Sequence, residues 1–425
     1  MRRPALLPHF DQISLLIVKI HHLSSAHFSG GAARAGFRIH CALLAAGHES
    51  VWVDAGRDCP ERPDIVRAAP ARRRWKGWAR LLRLDERRRF RRAFSAARTL
   101  ATIPSGPGTK ELITAAGWPD LFHFHWVSDY LDWAGALPAL TARVPVVWTL
   151  HDLNPLGGAW HYDPDADEID PRRTRWEEKL RRRKREVLSR LPGDRLVFVA
   201  PSRWIAGRIR ACEATSHFAT HQIPYAIDTT IFCPGERDMM RAELDLPARA
   251  RIVGFVADSI SDRRKGVREL CEALALLPGN RPAVLVAVGG GALPLATENY
   301  RRIGRIQDDA RLRAFYAACD LFVCPSLQDN LPNTVLEAMA CGTPVVAFDT
   351  GGIPDMVSEG ETGRLVPTGD IKALAGTIAA LLDDEAARAR MGRSGRARVE
   401  ADFSPGVVAR RHAELYLGLL DGRGL

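Results

Sequence analysis

The sequence has no run of about 18 or more apolar residues, so no helix long enough to cross a bilayer is expected. Residues 1–10 carry two arginines and no apolar core, so no signal peptide is expected either. The apolar run 13–20 is too short for one and reads as a buried strand. None of the eight cysteines stands in a C-x-x-C pair, and several lie inside apolar stretches. They read as small buried hydrophobes in a reducing, cytoplasmic setting rather than as a disulfide framework. No G-x-G-x-x-G follows the first apolar run, which argues against a dinucleotide oxidoreductase. No nucleic-acid recognition motif accompanies the net charge of +10, so no nucleic acid partner is expected.

What is present is an alternation of short apolar, β-branched runs with longer helical stretches. The runs are 13–20, 50–54, 121–125, 144–150, 196–199 and 221–224, then 252–257, 283–288, 321–324, 344–348 and 363–366. Continuous apolar strands separated by helices predict parallel sheets covered on both faces, an α/β doubly wound arrangement occurring twice. A chain of 425 residues is also too long for a single core. The aperiodic stretch 225–245, with Pro234 and Gly235, marks the expected junction. The expected domains are 1–230 and 231–400, with a helix over 401–425 packing back on the first domain.

Ligands of such sheets sit beyond the carboxyl ends of the strands, so the residues just after each run are the ones to read for chemistry. After run 321–324 come Asp329, Asn330, Leu331, Pro332, Asn333, Thr334 and, within a short helix stopped by Gly342 and Pro344, Glu337. Pro332 suits the first helical position. The unpaired N–H groups behind it offer a place for a diphosphate, flanked by two carboxylates able to accept from sugar hydroxyls. A turn aspartate and an exposed helix glutamate would give the same spacing. After run 252–257, Lys265 and Arg264 can neutralise a diphosphate leaving group; a solvated basic turn is the plainer reading. Gly30 and Gly31 follow the first run, where the backbone can approach a ligand closely or make a tight turn. His151 closes run 144–150 and reads as a donor ligand or as a satisfied core histidine. His123 and His125 share one strand face. They can form a metal pair, but no third ligand is apparent, so an acceptor-cleft role is preferred and no metal is expected.

The stretch from Asp329 to Glu337 resembles the D/E-x7-E signature of the family 4 retaining glycosyltransferases. So do Gly342-Thr343-Pro344-Val345-Val346-Ala347 and Gly351-Gly352-Ile353-Pro354. Residues 326–332 and Tyr225 are similar to the branch that builds bacterial exopolysaccharides such as colanic acid. The resemblance runs from about Ser14 to Leu417. It implies a GT-B-like fold, two Rossmann-like domains with an interdomain cleft. It further implies transfer of a sugar from a nucleotide-diphospho-sugar to a saccharide or lipid-linked saccharide acceptor in cell-surface polysaccharide synthesis, with no cofactor. Asp329 would contact the donor sugar, Glu337 the ribose, Lys265 the phosphate, and His151 would position the donor. Two departures stand out. Asp329 replaces the commoner glutamate, and Ser259 occupies the position where the family often has an arginine, leaving Arg263 or Arg264 as substitutes. Glu337→Ala and Lys265→Ala are each expected to remove turnover with little loss of folding. The rival readings are a glycosidase using Asp329 and Glu337, and a non-catalytic nucleotide- or polysaccharide-binding protein.

Two basic clusters remain, 72–92 and 172–185. Trp75, Trp78, Leu82 and Phe90 can share one face of the first. That face suits either an interfacial membrane helix, with the protein at the inner face of the membrane, or packing on the domain core. The function of 159–190 is not readable from the sequence.

Overall fold

The structure, a computed structural model, describes residues 16–24, 30–54, 62–68, 78–103, 109–128, 130–131, 133–278, 283–293 and 299–422, with only the backbone of 78–83. The strands of the first half are β1 (Lys19–Ser24), β2 (Glu49–Asp54), β3 (Ile65–Arg67), β4 (Leu121–Phe124), β5 (Val146–Thr149), β6 (Leu196–Ala200) and β7 (Thr220–Gln222). They form one parallel sheet in the order β3-β2-β1-β4-β5-β6-β7. Those of the second half are β8 (Arg251–Ser259), β9 (Ala283–Gly290), β10 (Tyr300–Gly304), β11 (Leu321–Cys324), β12 (Val345–Asp349) and β13 (Gly363–Pro367). They form a second parallel sheet in the order β10-β9-β8-β11-β12-β13. The strand order reverses between β1 and β4 and between β8 and β11, and these are the two crevices where such sheets bind ligands. No helix among the described residues is long and apolar enough to cross a membrane.

The interior strands coincide with the apolar runs because both their faces are covered, and their side chains have to be apolar throughout. Three strands depart from the expectation. β1 begins at Lys19, six residues beyond the start of the run 13–20, and carries His21 and His22, both fully buried. The imidazoles fill core space, His22 with one hydrogen bond to His125 and His21 with none, so this strand has no apolar signature. β3 and β10 have no counterpart among the apolar runs, and each is a sheet edge, where one side is open and polar residues are tolerated. Residues 13–15 of the first run lie outside the described residues.

Helix Pro405–Leu420 crosses back to the first half. Val408, Ala409, Leu415, Tyr416 and Leu419 join Ile20, Ile39, Leu43, Leu121 and Val147 in one apolar cluster. The two halves therefore share a seam as well as a facing junction. Near the junction the backbone is pinned by Gly266, at φ 69, where a Cβ would stand 1.7 Å from the carbonyl oxygen of Pro325. Gly266→Ala would have to shift either the loop that carries Lys265 or the end of β11. It is expected to lower the melting temperature. A melting curve equal to wild type would contradict this.

Candidate active site

β8 ends in the turn Arg263–Lys265, opened by Asp262, whose carboxylate accepts from the Arg264 backbone N–H at 3.1 Å. The three basic residues of this turn part ways. Arg263 leaves the site to pair with Glu269 at 2.6 Å. Lys265 Nζ reaches Asp329 Oδ2 at 2.5 Å. Arg264 lies 3.3 Å from the same oxygen and donates to the Gln328 carbonyl at 2.8 Å, with its guanidinium 4.1 Å from the centre of the Tyr162 ring. Of the two arginines offered as substitutes at Ser259, only Arg264 shares the site. Burial pushes the Asp329 carboxyl upward, but Lys265 and Arg264 outweigh it and hold the group below the usual carboxylate range.

Asp329 stands ahead of helix Asn333–Ala340, for which Pro332 is the N-cap, one position earlier than the sequence suggested. The residues between them fasten the halves together. The Asn330 amide donates to the carbonyls of Leu150 and His151 at 3.0 and 3.2 Å and accepts from Ser202 Oγ at 2.6 Å. Asn333 Nδ2 donates to the Gly31 carbonyl at 2.8 Å. Leu331 is buried in the core of the second half, and Thr334 is half-buried. Gly31 thus meets the helix start directly, with Gly30 at φ 93 just before it. A Cβ on Gly351 would fall 1.7 Å from the Asp329 carbonyl, so the loop after β12 closes against the acid.

Glu337 does not face open solvent. Its Oε1 accepts from Arg38 Nη2 at 2.8 Å and its Oε2 from the Tyr316 hydroxyl at 2.8 Å, and the residue is 2% exposed. Arg38 comes from helix Gly31–Ala45 of the first half, one turn beyond Arg34, which pairs with Asp309 at 3.1 Å. Arg38 Nη1 is buried with no partner. The i, i+4 arginines were the only signal in the sequence, and nothing local told that they faced Glu337. Removing one member of a buried ion pair strands the other. Glu337→Ala is therefore not the mild change expected from sequence. Arg38→Ala should cost roughly 3–5 kcal/mol, read as a lower urea midpoint, and the double alanine variant should recover part of it. A single variant with the wild-type midpoint would show that the pair contributes nothing.

His151, His125 and His22 form a chain of imidazoles. His22 Nδ1 bonds His125 Nε2 at 2.9 Å, His125 Nδ1 bonds His151 Nε2 at 3.2 Å, and His151 Nδ1 bonds the Tyr225 hydroxyl at 2.8 Å. Both His151 nitrogens are engaged, so its ring can meet a ligand only by giving up a bond. Burial pushes its pKa down to about 4 against the opposing pull of Asp152. His123 is fully buried rather than at an open cleft, bonded to Thr149 Oγ1 and to Tyr416 of the crossing helix, each at 2.7 Å. The third ligand that sequence could not supply is His22. One ligand nitrogen of each of His22, His123 and His125 lies within 4.8 Å of the others. To hold a cation there, the rings would have to give up the hydrogen bonds that now fix them.

The segment 152–188 frames the site from the first half. Asp152 accepts from Trp126 at 2.8 Å and pairs with His161 at 2.6 Å. Tyr162 supports Arg264, and Asp163 meets Gln328 across the junction. Beneath it the buried Lys184 bonds the carbonyls of Asn154 and Gly158. Burial draws its pKa down to about 7, while Glu177 and Asp152 oppose the shift.

Two parallel sheets have their ligand crevices facing each other across a junction, with cations and carboxylates at the meeting point. The sequence matches the Glycosyltransferase Family 4 profile over residues 29–231 and the Glycosyl transferases group 1 profile over residues 250–384. A D-inositol 3-phosphate glycosyltransferase of Corynebacterium efficiens is 31% identical over 318 residues, 70% of each chain. An alpha-maltose-1-phosphate synthase of Mycobacterium tuberculosis is 30% identical over 328 residues, 72% of this chain and 80% of that one. Among solved structures, a sucrose-phosphate synthase from Thermosynechococcus elongatus superposes with a TM-score of 0.70 at 24% identity, covering 95% of this chain and all of that one. HepE of Anabaena in complex with UDP-glucose gives 0.62 at 18% identity, covering 93% and 98%. The chain belongs to the family 4, group 1 glycosyltransferases, and its fold is GT-B.

Proposed function

We propose that this glycosyltransferase is a retaining enzyme that takes a sugar from a nucleotide-diphospho-sugar and gives it to a saccharide or lipid-linked saccharide in cell-surface polysaccharide synthesis. The observation that carries the reading is the convergence of Lys265 and Arg264 on Asp329, just ahead of the helix start that Gly31 faces. The donor diphosphate lies against the two cations and the N–H groups of helix Asn333–Ala340, where its growing charge is neutralised as the bond to the sugar breaks. The acceptor hydroxyl attacks the same carbon from the face the phosphate leaves, and its proton passes to the departing phosphate oxygen. Asp329 holds the transferred sugar, Glu337 the ribose, and His151 positions the donor. Cationic side chains do the work of charge neutralisation, so no metal is invoked. The likeness of residues 326–332 to the exopolysaccharide branch supports the pathway, and a peripheral contact of 72–92 with the membrane's inner face belongs to the same reading. Phe90 does not serve that contact, because it is buried against Phe94 and Trp176. Trp75 lies outside the described residues, as do the side chains of Trp78 and Leu82.

A glycosidase needs two carboxyl groups free to flank a glycosidic bond. Asp329 is taken up by Lys265 and Arg264, and Glu337 by Arg38 and Tyr316, which disfavours that rival. The test is a thermal-shift screen of nucleoside diphosphates and nucleotide-sugars, followed by transfer to saccharide acceptors with the anomeric configuration read by NMR. Stabilisation by one nucleotide and a product that keeps the donor configuration are expected. An inverted product, or hydrolysis of a simple glycoside without nucleotide, would refute the reading.

A further inference from the structure

The two arginine-rich stretches, some 80 residues apart in sequence, meet on the first domain. Helices Trp78–Phe94 and Pro171–Leu188 lie together through Phe90, Phe94, Trp176 and Leu180. Between them opens a cavity of about 370 Å³, walled by Arg89, Arg92, Arg172, Arg175 and Lys179 and floored by Trp176 and Ala93. No acid lines it. Two of the five cations already have acidic partners behind the wall, Arg89 in Asp85 at 2.6 Å and Lys179 in Glu86 at 2.7 Å; Glu86 also pairs with Arg183 at 2.9 Å, and Asp170 with Arg173 at 3.2 Å. Arg92, Arg172 and Arg175 have no acidic partner among the described residues. A solvated charged helix face would spread its charges outward. Here two helices turn like charges toward one hollow, an arrangement that an anion relieves.

We propose that this cavity binds a phosphate-bearing ligand, its oxygens held by the three unpaired guanidinium groups and its apolar or sugar face laid on Trp176. The guanidinium fork matches phosphate oxygens two at a time, and the indole accepts C–H surface. The site is separate from the donor centre: none of its lining residues is among those that meet Lys265, Arg264 or Asp329.

The phosphate can belong to a soluble phosphoester or to an anionic lipid headgroup, and two arms separate them. The full chain is titrated calorimetrically with inorganic phosphate at low and physiological ionic strength. It is also sedimented with phosphatidylcholine vesicles with and without phosphatidylglycerol. Each arm is repeated with the triple variant Arg92→Ala, Arg172→Ala, Arg175→Ala and with Lys265→Ala, whose phosphate contact is the donor site's. Saturable phosphate binding weakened about tenfold or more by the triple variant, but kept by Lys265→Ala, assigns a soluble phosphoester. Sedimentation that requires phosphatidylglycerol and is lost in the triple variant assigns a headgroup. Melting curves and nucleotide affinity of the triple variant separate unfolding and donor-site loss from loss of this site, and a triple lysine variant should keep part of the binding. No binding in either arm, binding unchanged by the triple variant, or binding lost only with Lys265→Ala would overturn the proposal.

Discussion

Lys265→Ala is expected to lower kcat/KM for the donor by about a thousandfold, equivalent to roughly 4 kcal/mol of transition-state stabilisation. Lys265 is the sole ammonium within reach of Asp329 among the described residues, at 2.5 Å, and in the proposed reaction it meets the charge that builds on the leaving diphosphate. Its loss acts twice. The diphosphate loses a counter-charge, and Asp329 is left buried with Arg264 alone, 3.3 Å away. Burial then has less opposition, so the Asp329 carboxyl moves up toward its ordinary range. The acid limb of the pH–rate profile should therefore shift to higher pH along with the fall in rate, which a merely structural lysine would not cause. Lys265→Arg should keep part of the activity and restore the limb. Arg264→Ala is expected to have a smaller effect on rate, because that guanidinium is partly spent on the Gln328 carbonyl and the Tyr162 ring. Wild-type turnover in Lys265→Ala would remove the diphosphate from this position.

The parts of the site that could be read from sequence are those in which one local segment carries the whole chemistry. Asp329, Pro332 and Glu337 lie within nine residues at a strand end, and Lys265 sits in a turn just after a strand, the place from which its proposed role is read. Interior strands could be read because burial on both faces demands apolar side chains. What could not be read is what the opposite half contributes. Arg38, Tyr162 and Tyr225 lie far in sequence from the residues they touch, and Tyr316 touches Glu337 from a different helix. A single arginine on a helix is ordinarily a solvated one. The imidazole core hid β1 for the same reason: histidines are weak predictors of burial, and the partners of His22, His40, His123, His125 and His151 come from other segments of the chain.

That core should make the protein acid-labile. Burial holds His21, His40 and His151 down to about 4 and His412 to about 3; Lys19 adds to the lowering at His21, while Asp64 at His40 and Asp152 at His151 oppose it. Burial and neighbouring imidazoles hold His22, His123 and His125 well below the ordinary value. In the unfolded chain each titrates near 6.5. A histidine whose pKa is lower in the fold than out of it contributes stability that is complete well above pH 6.5. That contribution is lost progressively as the pH falls from 6.5 toward the folded value, because the unfolded chain takes up the proton first. Each of these groups then costs about 1.4 kcal/mol per pH unit. The four with stated values alone remove more than about 5 kcal/mol over one unit, a large share of the roughly 5–15 kcal/mol that holds a domain together. The melting temperature should therefore be nearly level above about pH 7.5 and fall steeply between pH 6.5 and 5, with the first domain unfolding before the second. His412→Leu, which removes one titrating group whose two nitrogens have no partner, should make the fall shallower by about one proton. A melting temperature unchanged from pH 7 to pH 5 would mean that these imidazoles reach solvent or are protonated in the fold.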